Sequence, residues 1–96
     1  MMRHVVLLRW KEGTTEAEIA AVEEALRRMP TVMPFIRRYE MGRDLGVNGS
    51  HNFALIADFD SVEDYRTYAG QEDHARVISE VIAPVLDSMA RVQYSL

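Results

Sequence analysis

Residues 3–10, RHVVLLRW, carry apolar side chains on both sides of a period-two alternation: His4, Val6, Leu8 and Trp10 on one side, Val5 and Leu7 on the other. A β-branched, aromatic-rich run of this length predicts a strand. The period then changes. Ile19, Val22, Leu26 and Met29 recur at three- and four-residue spacing, with Glu16, Glu23, Glu24 and Arg27 left for water. That pattern predicts an amphipathic helix. Thr15 with Glu18 three residues later is a capping box that starts it. Pro30 and Pro34 predict its end in a short irregular stretch. Residues 35–42, FIRRYEMG, predict a second, more polar strand suited to a sheet edge. Gly42, Gly46, Asn48 and Gly49 supply turn chemistry before a third strand over 51–59, HNFALIADF. Ser61 and Asp64 predict an N-cap for a short helix over about 62–69, stopped at Gly70. A second helical run is predicted over about 72–86 from Val77, Ile78, Val81, Ile82 and Val85, with Pro84 kinking or ending it. Residues 89–95, MARVQYS, predict a fourth strand.

This order is a βαβ unit written twice, the ferredoxin-like βαββαβ pattern of an α+β protein, in a single domain over residues 1–96. Right-handed crossovers place the first and third strands in the centre of a four-stranded antiparallel sheet, with both helices on one face. The central strands are apolar on both faces, however, and two helices cover only one. Each large apolar side chain left in water forgoes roughly 1.5–3 kcal/mol. A second copy of the sheet is the economical cover, so the pattern predicts a homodimer joined through the sheet face, a dimeric α+β barrel.

Composition narrows the function classes. A 48% hydrophobic content with a formal net charge of −4 argues against disorder. Arg27-Arg28 and Arg37-Arg38 are the only basic pairs, and no basic stripe interleaved with aromatics suggests nucleic acid as a partner. There is no cysteine, so disulfides, thiolate metal ligands and a Cys nucleophile are excluded together. No apolar run approaches the ~20 residues of a membrane span. Met1-Met2-Arg3 runs straight into a strand without signal-peptide shape, so a cytoplasmic location is expected. The three histidines are scattered without a close pair, and the glycines precede a strand rather than a helix. No metal and no organic cofactor is therefore expected.

The histidines are the candidate chemistry. His74 opens the second helical run and shares a face with Val77, Ile78 and Val81, which suits a general base at the mouth of an apolar pocket. The competing reading has its ring capping the helix or bonding Glu72 or Asp73. His4 opens the first strand on the Val6 and Leu8 side, and the predicted topology brings His4, Tyr68 and His74 to one end of the sheet. His51 begins the third strand at the other end, on the order of 20 Å from His4 at ~3.3 Å per residue. Tyr65 and Tyr68 are three residues apart, and periodicity does not separate them.

Three blocks carry a family resemblance: RHVVLLRWKEGTTEAEI, SHNFALIADFDSVEDYRTYAGQEDH and VISEVIAPVLDSMARVQYSL. With a tyrosine six residues before a histidine in the middle block, the chain resembles the stress-responsive dimeric A/B barrel family. The family includes plant stress proteins without clear activity, bacterial members of unknown role, and the plant olivetolic acid cyclase, which closes a ring on a linear polyketide by aldol-type chemistry without cofactor. The resemblance implies His74 as catalytic base and Tyr68 as its partner. It also implies His4 and His51 as pocket residues, and Val77 and Ile78 form the wall beside His74. The cyclase's histidine-proline-alanine-histidine run reads Gln71-Glu72-Asp73-His74 here, and its alkyl-pocket residues are not recognisable. The implied function is a small cofactor-free dimer that binds a largely apolar carbonyl compound and performs proton transfer on it, as a cyclase, lyase or isomerase. The alternatives are a non-catalytic stress-associated dimer or small-molecule binder and, third, a cofactor-free monooxygenase or haem-related enzyme of the same barrel type.

Overall fold

The computed structural model describes residues 1–96. Strand β1 spans Met2–Trp10, helix α1 Glu16–Arg27 and the short helix α2 Met29–Val32. Strands β2 (Arg38–Arg43) and β3 (Phe53–Phe59) follow, then helices α3 (Val62–Gly70) and α4 (Glu72–Val77) and strand β4 (Leu86–Ser95). The sheet has the order β2-β3-β1-β4, antiparallel at every junction, so β1 and β3 are central as the sequence predicts. The chain has the ferredoxin-like fold.

The local signals act where the sequence places them. Glu18 N–H donates to the Thr15 hydroxyl and Thr15 N–H to the Glu18 carboxylate, closing the capping box of α1. Asp64 N–H donates to the Ser61 hydroxyl at the start of α3. Gly46, at φ +78°, turns the β2–β3 connection through a region that disfavours other residues.

Three boundaries differ from expectation. Strand β2 begins at Arg38 rather than residue 35, because Ile36 N–H closes a turn onto the Met33 carbonyl and Phe35 and Ile36 pack into the core. Strand β3 begins at Phe53 rather than residue 51; Asn52, just before it, donates its N–H to the Leu8 carbonyl and accepts from Trp10 N–H through its side chain. The long second helix is broken. After α4 the chain widens into a π-helical turn over Ile78–Ile82, where Ala83 N–H reaches back to the Ile78 carbonyl, and then tightens into a 3-10 turn over Ala83–Val85. Pro84 explains the break: it has no N–H to offer the Glu80 carbonyl, and its ring crowds that group. Strand β4 consequently starts at Leu86, three residues earlier than residue 89, beyond an irregularity at Arg9 and Trp10.

The inner sheet face meets the helices in two apolar clusters. One joins Val6, Leu8, Phe53 and Leu55 of the sheet to Val22 and Leu26 of α1 and to Ile82 and Val85. The other gathers Met2, Ala57 and Phe59 with Met29, Met33, Ile36 and Tyr68. On the outer face Val5 lies between Ile56 and Val92, and Leu7 between Ala54 and Ala90. At one end of this face the Arg3 guanidinium donates twice to Asp58, at 2.7 and 2.9 Å, and Asp58 is only 3% exposed.

Candidate functional site

A cavity of about 460 Å³ lies where the two clusters meet, between the inner sheet face and the α3–α4 segment. That volume suits a small organic ligand. Its walls are mostly apolar, from Val6, Leu8, Leu26, Leu55, Ile78 and Ile82, and its polar members are His4, Tyr65, Tyr68, His74 and Arg91. Met89 and Arg91 of β4, both exposed, form its margin toward solvent.

His74 is set by its helix start. The Gln71 side chain caps α4, accepting from His74 N–H at 3.0 Å. The imidazole packs on the Tyr68 ring with centroids 4.2 Å apart. Its Nδ1 is buried and has no hydrogen-bond partner. Asp73 is turned elsewhere, toward Gln71 and Arg76. Burial lowers the His74 pKa, with the Ala69 backbone opposing the shift, so the ring is neutral at pH 7.

Tyr68 is the most buried aromatic at the site, 1% exposed. Its hydroxyl shares a 3.0 Å hydrogen bond with the Tyr39 hydroxyl, not with His74. Burial raises the Tyr68 pKa to about 12 and that of Tyr39 further still, so both remain phenols. His4 lies in register with Ala57 on one side and Gln93 on the other. Its Nδ1 is 2.8 Å from the Gln93 amide nitrogen, so the amide donates and the ring proton sits on Nε2. Burial, reinforced by repulsion from His74 and Arg91, lowers the His4 pKa to about 4. Tyr65 packs against this ring at 4.8 Å.

Of the residues expected at the site, His4, Tyr68, His74 and Ile78 border this cavity together. His51 and Val77 do not. His51 sits at the far end of the sheet beside the β2–β3 loop, its Nδ1 2.9 Å from the Ser50 hydroxyl, because β3 runs antiparallel to β1. Val77 faces the crevice between α1 and α4, whereas Ile78, whose N–H bonds the His74 carbonyl one helical turn back, lies on the cavity side. Tyr39, Tyr65, Gln71, Gln93 and Arg91 belong to the neighbourhood as well. The inward alternation of β2 and β4 was the signal for Tyr39, Arg91 and Gln93, and the cap position was the signal for Gln71. No group of three or more His, Cys, Asp or Glu residues is gathered as a metal site. No helix is long and apolar enough to cross a membrane.

With fold and cavity in place, comparison defines the class. The family model described as the stress responsive A/B barrel domain (Dabb) matches residues 2–96, and the chain belongs to this family. A dimeric ferredoxin-like protein of unknown function from Thermobifida fusca is 34% identical, with a TM-score of 0.89 over 99% of this chain and 90% of that one. A dimeric protein of unknown function and ferredoxin-like fold from Bacteroides fragilis is 26% identical, with a TM-score of 0.85 over 99% of this chain and 95% of that one. The hydroxynitrile lyase from Passiflora edulis shares the fold at 19% identity, with a TM-score of 0.88 over 99% of this chain and 92% of that one. No curated protein matches the sequence.

Proposed function

We propose that this chain is a cofactor-independent homodimer that binds a small, largely apolar carbonyl compound in the helix–sheet cavity and transfers protons on it, with His74 as general base. One observation carries the reading: a neutral imidazole lines an apolar cavity that contains no carboxylate to pair with it. The unprotonated nitrogen of the His74 ring takes the proton from the carbon next to the carbonyl, and the C–H electron pair moves onto the carbonyl oxygen. With Tyr39 as the donor in the hydrogen bond the two hydroxyls share, the Tyr68 phenol keeps its own proton for that oxygen, and His4 Nε2–H is a second donor. The resulting enol attacks a second carbonyl in an aldol closure, or takes its proton back at another carbon in an isomerisation. The Passiflora lyase supports the view that this fold hosts such chemistry.

Dimerisation rests on the outer sheet face, where Val92 is 54% and Tyr94 46% exposed beside Val5, Leu7 and Ile56. The dimeric relatives from Thermobifida fusca and Bacteroides fragilis support it. Sedimentation showing only an 11.0 kDa species at micromolar concentration would overturn this part.

The base assignment is tested by α-proton exchange of methyl hexyl ketone in deuterium oxide, followed by NMR. The protein is expected to accelerate exchange, His74→Ala to lose ~10²–10⁴-fold of the acceleration, and Tyr68→Phe to lose less. Equal rates for His74→Ala and the parent would end the assignment. Binding without any acceleration would favour the non-catalytic small-molecule binder.

A further inference from the structure

We propose that the cavity selects a ligand bearing a carboxylate, anchored by Arg91; this deepens the reading of the cavity as the ligand site and rests on it. The chain has ten arginines, and seven of them hydrogen-bond to an oxygen of the chain itself: Arg3, Arg9, Arg28, Arg37, Arg38, Arg43 and Arg76. Arg27, Arg66 and Arg91 do not. Arg27 and Arg66 are on exposed helix positions away from the cavity, whereas Arg91 borders it. The only polar contact of its guanidinium is the Met89 sulfur, at 4.0 Å, a weak acceptor.

The position follows from the strand. Arg91 pairs in register with Val6, and Met89 with Leu8, so both are on the inward side of β4 with Gln93. An arginine on the helix-facing side of an edge strand, without an acid across from it, has no evident role in packing. The surroundings sharpen the point. The protein holds 15 acidic residues against 11 basic ones, yet none of the acids borders the cavity. Its charged and basic members are Arg91, His4 and His74 alone. The positive field is felt inside, since Arg91 is among the charges that hold His4 neutral. A cavity with apolar walls, one unpaired guanidinium at its margin and no carboxylate of its own fits an apolar body ending in a carboxylate, which a guanidinium grips through two parallel hydrogen bonds. Arg91 is then a specificity-determining residue, while the carbonyl end of the ligand lies toward His74 and Tyr68.

The test uses two probes of equal shape and different charge, octanoate and octanamide, titrated by calorimetry at neutral pH and low salt, with the His4 and His74 ring resonances followed by NMR. Octanoate is expected to bind about tenfold more tightly than octanamide. Arg91→Met should bring the two within about twofold, chiefly by weakening octanoate, and Arg91→Lys should keep part of the preference. Equal affinities in the parent protein, or a preference that survives Arg91→Met, would overturn the inference. If octanamide binds and perturbs both histidines without any acid preference, the cavity reading stands and only the anion inference falls. If neither probe binds or perturbs the rings, both fall.

Discussion

The two βαβ halves have taken their helices in opposite directions. In the first, α1 is regular, closed by a reciprocal cap, and buries Val22 and Leu26 almost completely. In the second, the helical segment is interrupted at Gln71, widened over Ile78–Ile82 and tightened at Ala83–Val85, and α4 buries no residue fully. The cavity lies under this second half. One copy of the motif thus supplies packing, and the other trades packing for open space beside His74. A broken helix is the means by which a small core keeps a hollow.

That contrast can be broken by substitution. Leu26→Ala, at a fully buried side chain, should cost about 2–5 kcal/mol in urea unfolding, whereas Ile78→Ala, at a side chain only half-buried, should cost less than about 2 kcal/mol. Comparable losses would mean that the second half is packed as tightly as the first. The next effect is electrostatic. His4 binds its proton near pH 4 in the folded chain and near 6.5 when unfolded. Its contribution is therefore fully present above pH 6.5 and is lost as pH falls toward 4, on the order of 2 kcal/mol in all. His74, also lowered, acts in the same sense. His4→Gln should flatten this limb of the stability profile, and an unchanged profile would place the pH sensitivity elsewhere.

The caps offer a finer comparison. Thr15→Ala removes the α1 capping box and should cost about 1 kcal/mol of global stability. Gln71→Ala uncaps a helix start that bears on the site, so it should shift the His74 resonances and leave the unfolding midpoint nearly unchanged. The smallest effect is expected at Arg28→Ala, which deletes an exposed pair with Glu24 and should change stability by no more than about 0.5 kcal/mol. A larger loss there would show the end of α1 to be more than a solvated terminus.

The sequence was most legible where local chemistry decides structure. Thr15 with Glu18 and Ser61 with Asp64 announce their helices because cap and helix are neighbours in the chain. The alternation of β1 and β3 announces a sheet with two apolar faces. It was less legible where one residue's effect spreads. Pro84 signals a break, but only the folded chain shows the break absorbed upstream as a wide turn over Ile78–Ile82. Periodicity at 3.6 residues per turn puts Val77 and Ile78 on either side of His74, and only the folded chain shows which of the two looks into the cavity. Tyr39 and Arg91 were readable as inward positions of polar strands, yet their meaning depends on which helix crosses above them. The hydroxyl of Tyr68 illustrates the same limit: spacing brings it near His74, and its bond goes to Tyr39 instead.

The His4–Gln93 hydrogen bond joins residues 89 positions apart, and β4 also supplies Met89 and Arg91 at the cavity margin. This sets an order of events for a chain emerging from a ribosome. At ~5–20 residues per second, β1 waits several seconds with one edge open before residues 86–95 exist to cover it. His74 is made before Arg91, so the histidine precedes the strand that walls its chamber. A nascent chain halted between them would display an unpaired central strand and a half-built hollow, a form suited to capture by a chaperone or by another chain. The cavity of this protein is therefore among the last things its synthesis completes.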